Sequence, residues 1–374
     1  MMFAVVAMAC GGPGGPVTGV APPTSTPFTA PSTTPSTAPA TTVACRPAPL
    51  EVRAATVLAI GINNARTADA PIAAQVAAMG VGGVILLGQN IGDAAQARAL
   101  IAGMRERSPR GLLVAVDEEG GRVSRLRPIL GSTPSARTLG QRPLPDIAMV
   151  GAERGATLRD LGFNLALAPV VDADGGPAGG AVGDRAFATT PAEAGRRAAA
   201  FAEGLHRAGV AATAKHFPGL GGLPDSHDGP VVSDAPLAEL RATASAGFRP
   251  VIDAGVRAVM MSHATYRALG PLPASLEPSA YTLLRSLGFG GVAITAAVGM
   301  ESIEGQWSLA EAAVMALRAG ADLVLATGGD TAAAMRDGVA AAVADGRLPE
   351  SRLDEAVGRV LTLRGENPAA MVCR

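Results

Sequence analysis

Ala211-Ala212-Thr213-Ala214-Lys215-His216-Phe217-Pro218-Gly219 is a short apolar run that breaks into charged and turn residues. The run has the length of a buried strand and is too short for a buried helix. Seven other runs have the same form, at residues 55–60, 84–87, 112–116, 165–169, 258–261, 292–295 and 323–326. Each ends at Gly or a polar turn. Longer Ala- and Arg-rich stretches with helical periodicity separate them, at 71–79, 94–107, 146–161, 191–207, 237–254, 279–286, 309–318 and 331–344. Unbroken apolar strands suit a parallel sheet covered on both faces. Eight strand–helix units over about 310 residues predict an α/β fold, a single-domain (β/α)8 TIM barrel. A doubly wound sheet is the alternative. It would not usually need eight units, and no glycine-rich dinucleotide fingerprint follows the first run. Residues 348–363 read as a helix closing the barrel.

A barrel places its functional groups just past the C-terminal ends of its strands. The polar residues of this chain fall there. Asp117 follows the third run, Asp172 the fourth, Lys215 and His216 the fifth, Ser262 and His263 the sixth. Lys215 is the only lysine among 31 Lys and Arg, and two of the four histidines lie between 214 and 230. An amine used once, beside an imidazole at a strand end, points to a site.

Composition narrows the function. The net charge is −1, without a basic run or an aromatic-interleaved patch, so nothing supports nucleic-acid binding. HExxH, a phosphate loop and a GxSxG elbow are all absent, and three cysteines offer no metal spacing. No metal and no cofactor are expected.

The N-terminal residues Met1 to Cys10 form a short apolar run ending in a small residue and cysteine. They look like a bacterial lipoprotein signal remnant with Cys10 as the lipidated residue. Residues 11–46 are rich in Pro, Thr and Ala and cannot bury enough apolar surface to offset their ordering entropy, so they read as a tether. The folded domain is expected over 47–374. Cys45 and Cys373 bracket it and are expected to form a disulfide in an oxidising compartment. The chain is thus expected outside the cytoplasm, secreted or held at the membrane by the lipid alone. The oligomeric state is not legible, and a monomer is the default.

Asp117-Glu118-Glu119-Gly120-Gly121-Arg122-Val123-Ser124-Arg125 sets a carboxylate at a strand end and a guanidinium eight residues on. Such a pair suits a polyhydroxylated ligand, the carboxylate accepting from hydroxyls and Arg125 donating. A structural ion pair is the plainer alternative. Arg185, Lys215 and His216 add donors to the same mouth. Asp225-Ser226-His227 places a carboxylate two residues before an imidazole, on one face if the segment is extended. The aspartate can orient the ring and raise its pKa for general acid–base work.

Together these motifs resemble the bacterial β-N-acetylhexosaminidases of glycoside hydrolase family 3. The resemblance spans residues 54–327 and rests on Gly82-Gly83-Val84-Ile85-Leu86-Leu87-Gly88, the 117–125 motif, 183–187, 215–219, 225–227 and Met261-Ser262-His263. It implies a TIM barrel that removes terminal N-acetylglucosamine from cell-wall fragments, so that the partner would be an N-acetylglucosamine-containing glycan or muropeptide. It assigns Asp225 and His227 to acid–base catalysis and Asp117, Arg125, Arg185, Lys215, His216 and His263 to sugar binding. It also implies cis geometry near Lys215-His216 and Phe217-Pro218.

One position departs. The family nucleophile is an aspartate after the seventh strand, in a Thr/Ser-Asp-x-Leu-x-Met frame. Here the row reads Ile294-Thr295-Ala296-Ala297-Val298-Gly299-Met300, with Ala296 in that place. A methyl group cannot attack an anomeric carbon. Three outcomes remain open: a chain that binds sugar without turnover, a weak hydrolase using Glu301, Glu304 or the substrate's acetamide, and an altered codon.

Overall fold

The computed structural model describes residues 46–373. Cys10, the signal and tether residues and Cys45 lie outside the described residues. Within them, eight parallel strands close into a barrel. In chain order these are β1 (Leu58–Gly61), β2 (Gly83–Leu86), β3 (Leu113–Val116), β4 (Leu165–Ala166), β5 (Ala211–Phe217), β6 (Ala258–Met261), β7 (Val292–Ala297) and β8 (Leu323–Ala326). Each pairs with its neighbours in sequence, and β1 meets β8 at Leu58↔Val324 to complete the ring. The principal outer helices are α1 (Pro71–Ala78), α2 (Ala94–Arg107), α3 (Leu144–Leu161), α4 (Pro191–Arg207), α5 (Leu237–Asp253), α6 (Pro278–Ser286), α7 (Leu309–Ala319) and α8 (Ala332–Ala344). The expected (β/α)8 barrel is the observed fold.

Local chemistry sets where these helices begin. Asp93 accepts from the Gln96 backbone to start α2. Ser308 and Glu311 form a capping box on α7. Proline stands in the first turn of α1, α3, α4 and α6, where its missing N–H removes no intrahelical bond.

The strands divide the core in two. Ile85, Leu113, Leu165, Met260, Ile294 and Leu325 are among the residues that fill the lumen, while Val84, Val114, Val259 and Val324 face the helix ring. The lower end of the lumen is closed by the helix Glu350–Arg364, whose Val360 and Leu363 join the lumen cluster. Arg257, just before β6, donates to the Thr362 and Leu363 carbonyls and fixes that helix at the N-terminal strand ends. Asp322, fully buried before β8, accepts from Arg285, Arg352 and Arg359 and from the Ala293 backbone. A buried carboxylate so surrounded ties α6, β7 and the closing helix together.

Three strand expectations shift. The first apolar run covers 55–60, but Ala55 and Thr56 end the helix Leu50–Thr56 and the strand begins at Leu58. Arg53 anchors that helix through Glu350 and Asp354, a contact 297 and more residues away that no local pattern carries. The fourth strand is only Leu165–Ala166; Pro169, inside the expected run, has no N–H to give the ladder. The fifth runs on through Phe217, so Lys215 and His216 lie within the strand rather than after it.

Candidate active site

At the C-terminal strand ends a pocket of about 370 Å³ takes its lining from Asp117, Glu119, Arg125, Arg185, Lys215, His216, Asp225, His227, His263 and Ala296, among others. All the residues singled out for sugar binding and proton transfer therefore meet at one mouth. So does the alanine.

Its floor is an ionic network. Lys215 is only 2% exposed, and its Nζ donates to Asp117 Oδ1 at 2.7 Å and reaches Glu119 Oε1 at 2.7 Å. Glu119 in turn accepts two bonds from Arg185, from Nε and Nη2, both 2.8 Å. Such a fork is the strongest pairing a guanidinium makes with a carboxylate. Burial alone would raise the Glu119 pKa, but Lys215 and Arg185 outweigh it and hold the carboxyl far below its ordinary range. Arg185 is shifted the other way, since Glu119 more than offsets the cost of burial.

The backbone arranges this network. Register shifts between Lys215 and Phe217 where β5 meets β6, and bulges of this kind re-aim side chains beside sites. The Lys215-His216 and Phe217-Pro218 peptides are both cis, as the resemblance implied. Glu119 lies in a ribbon of Glu118–Gly120 with Val123–Ser124, turned by Gly120 at φ 93° and Gly121 at φ 57°. A side chain at either glycine would also strike Pro134 or Ser135.

His216 is held from below. Its Nδ1 lies 2.6 Å from Asp172 Oδ2, which also accepts from the His216 backbone, while Oδ1 accepts from Leu220. Burial lowers the His216 pKa, with Asp172 pulling the other way. A neutral ring that gives Nδ1–H to Asp172 leaves Nε2 as an acceptor, 3.4 Å from Arg185 Nη2.

Asp225 and His227 have a different setting. His227 Nδ1 lies 2.6 Å from Asp225 Oδ1, and the His227 backbone donates to the same oxygen at 3.0 Å. The side-chain contact thus forms in a tight Asx turn, not in the extended segment expected from the sequence. The histidine side chain remains 68% exposed at the pocket mouth. Burial tends to raise the Asp225 pKa, but the bonds from His227 outweigh it and the net shift is downward.

His263 was expected to touch sugar. It lines the pocket, yet Nδ1 is 2.7 Å from Ser275 Oγ and Nε2 is 2.9 Å from the Ala297 carbonyl. A carbonyl only accepts, so Nε2 carries the proton and Nδ1 accepts from the serine. Both nitrogens are engaged, and His263 fixes the end of β7 instead of offering a free donor. Burial pushes its pKa down to about 4.

Ala296 sits on β7, 8% exposed, at a register shift between Ile294 and Ala297. The carboxylates lining the pocket are Asp117, Glu119 and Asp225. The first two are engaged by Lys215 or Arg185, and the third holds His227. Neither Glu301 nor Glu304, the two candidate replacements, is among the lining residues.

Glu119 has no role in the sequence reading, although it stands in the 117–125 motif, and Asp172 is marked there only as a strand-end residue, without its bond to His216. Arg122 also lines the pocket and pairs with Asp184 at 2.8 Å. Cys373 is disulfide-bonded. No grouping of His, Cys, Asp and Glu suited to a metal ion occurs among the described residues.

The Glycosyl hydrolase family 3 N terminal domain matches residues 50–363. Beta-hexosaminidase LpqI of Mycobacterium tuberculosis is 37% identical over 329 residues, covering 84% of this chain and 82% of that protein. A beta-hexosaminidase of Stenotrophomonas maltophilia is 38% identical over 254 residues, 65% of this chain and 75% of the relative. Among solved structures, a GH3 glycosyl hydrolase from Mycobacterium smegmatis aligns with a TM-score of 0.78 at 34% identity, covering 84% of this chain and 97% of that one. A beta-N-acetylhexosaminidase from Beutenbergia cavernae aligns with a TM-score of 0.78 at 33% identity, covering 85% and 99%.

Proposed function

The chain belongs to glycosyl hydrolase family 3, and we propose that it binds terminal N-acetylglucosamine in a β-hexosaminidase-like site that has lost its nucleophile. The relatives named beta-hexosaminidase and the site's donors and acceptors support the sugar. Asp117 and Arg125 would engage hydroxyls above the Lys215–Glu119–Arg185 network. His227, oriented by Asp225, would carry a proton to or from the glycosidic oxygen.

A single observation carries the loss of function: Ala296 faces the pocket where β7 ends, and each lining carboxylate already has a partner. A retaining hydrolase needs a carboxylate free to attack the anomeric carbon. Terminal N-acetylglucosamine of peptidoglycan fragments is the ligand class, and the binding reading is favoured over a weak hydrolase. Lipidation at Cys10, a 1–10 signal, an 11–46 tether, a Cys45–Cys373 disulfide and an extracytoplasmic monomer complete the proposal. No helix among the described residues is long and apolar enough to cross a membrane.

Chromogenic N-acetylglucosaminide turnover by the chain and by Ala296→Asp tests the reading, with N-acetylglucosamine binding measured by calorimetry. Activity in the variant alone is the expected result. Equal activity in both would show that Ala296 does not mark the lost nucleophile. Absence of both turnover and binding would remove the sugar assignment.

A further inference from the structure

Two adjacent glutamates stand in the ribbon that follows β3, and only Glu119 belongs to the ionic network of the pocket. Successive residues of such a ribbon point to opposite faces. Asp117, Glu119, Val123 and Arg125 line the pocket. Glu118, Ser124 and Leu126 are not among the lining residues, and Glu118 and Leu126 are fully buried.

Behind the pocket, Glu118 makes a specific set of contacts. Its Oε2 accepts from Ser124 Oγ at 2.8 Å and from the Leu126 backbone at 3.1 Å. Ser124 is also its cross-strand partner, so the two side chains share a face. These two donors are the residues on either side of Arg125. The other oxygen, Oε1, makes no hydrogen bond, and Arg154 Nε lies 3.8 Å from it, beyond hydrogen-bond reach. The side-chain hydrogen bonds of Glu118 thus go to the neighbours of Arg125 alone.

The two pocket arginines are therefore held in opposite ways. Arg185 is gripped at its guanidinium, by the fork from Glu119. Arg125 has no ion pair among the described residues, and its Nε is buried without a hydrogen bond. What fixes Arg125 is its backbone, which donates to the Asp117 carbonyl at 3.2 Å and is flanked by the two residues that Glu118 holds.

Resting on the sugar-binding reading above, we propose that Glu118 is a positioning residue of this site: by gripping the residues on both sides of Arg125, it holds that guanidinium where a sugar hydroxyl meets it. Glu119 and Glu118 then divide one task, the first steadying Arg185 by its head and the second steadying Arg125 by its root.

Glu118 also faces Arg154, whose side chain is 5% exposed, so removing Glu118 alone strands a buried charge. Replacing both members of a buried pair by apolar groups avoids that penalty. Variants without the pair therefore separate the grip on the ribbon from the contribution to stability.

The experiment uses the full chain and N-acetylglucosamine, titrated by NMR, with denaturant unfolding alongside. Glu118→Met/Arg154→Met should fold with near-parental stability and bind the sugar about 10-fold more weakly, because a charged donor is no longer held in place. Glu118→Gln/Arg154→Met gives Ser124 and Leu126 an acceptor again and should return the affinity to within about 3-fold of the parent. Ser124→Ala removes one of the two bonds without touching the charge pair and should weaken binding about 3-fold. In an Arg125→Ala background the same three changes should each alter affinity by less than about 2-fold, since the group they position is gone.

Losses that add in full to that of Arg125→Ala overturn the inference. So does unchanged affinity in Glu118→Met/Arg154→Met and Ser124→Ala, or a glutamine variant that binds no better than the methionine one. In each of these cases the parent chain still binds N-acetylglucosamine, and the sugar-binding reading stands. If Glu118→Met/Arg154→Met does not fold, Ser124→Ala with and without Arg125 decides. A parent chain that does not bind N-acetylglucosamine removes the sugar-binding reading, and this inference falls with it.

Discussion

The ends of β5 and β7 lie two strands apart on one pocket and are built on opposite terms. At β5, Lys215 is locked to Asp117 and Glu119, Glu119 to Arg185, and His216 to Asp172. Removing any one of these strands a buried charge. At β7 the inward residue is Ala296, which has no side-chain polar atom and no partner to strand. A group that only performs chemistry can vanish without harm to the fold, whereas groups that share buried charge are kept together by stability. On the proposed reading, this difference is how a sugar-holding half would remain whole beside a catalytic half without its nucleophile.

The largest effect expected from breaking this contrast is on rate. Ala296→Asp should raise N-acetylglucosaminide turnover by about 10³-fold or more, measured as nitrophenolate release. Next comes Glu119→Gln. It leaves Lys215 and Arg185 short of a carboxylate in a buried site and should cost about 3–5 kcal/mol, read from denaturant unfolding, together with sugar affinity. Loss of no more than 1 kcal/mol would mean that the network is not what holds the β5 end.

The network also has a pH signature. Glu119 is depressed below its ordinary 4.5, so its contribution is complete above that value and fades as pH falls toward the native pKa. The stability gap between the chain and Glu119→Gln should therefore narrow below pH 4.5. Buried His263, lowered from 6.5 to about 4, adds an earlier loss. Unfolded imidazole takes up a proton below 6.5 while the native ring stays neutral, so stability should already decline between pH 6.5 and 4. A flat profile over that range would contradict the tight His263 site.

Two smaller effects test regions outside the network. Cys373→Ser opens the disulfide and should cost about 2–4 kcal/mol, measured as a lower thermal midpoint. Peptide mapping of the unreduced chain should show Cys45 as the partner. His227→Ala should hardly move stability, by less than about 0.5 kcal/mol, because the ring is exposed. It should nevertheless abolish the activity gained by Ala296→Asp on substrates with poor leaving groups.

Much of this was legible in the residues. Eight apolar runs gave eight strands, and the polar residues after them gave the mouth. What escaped depended on partners far along the chain. Glu118 and Glu119 are adjacent and identical, yet Glu118 turns toward Arg154, 3.8 Å away, and Glu119 toward Lys215, because the ribbon sends neighbours to opposite sides. Asp172 was visible at a strand end, but its bond to His216 spans 44 residues. His263 stood in a recognisable motif, while its engagement by Ser275 and Ala297 belongs to the tertiary fold.

The ring of strands has a consequence in time. β1 begins at Leu58 and its partner β8 begins at Leu323, and the helix that seals the lumen ends at Arg364. During synthesis, at about 5–20 residues per second, β1 waits tens of seconds for that partner. Its two apolar faces are complete long before the barrel can close. The nascent chain thus exposes an unpaired β1 edge until β8 and the sealing helix have emerged, and the barrel can close only then.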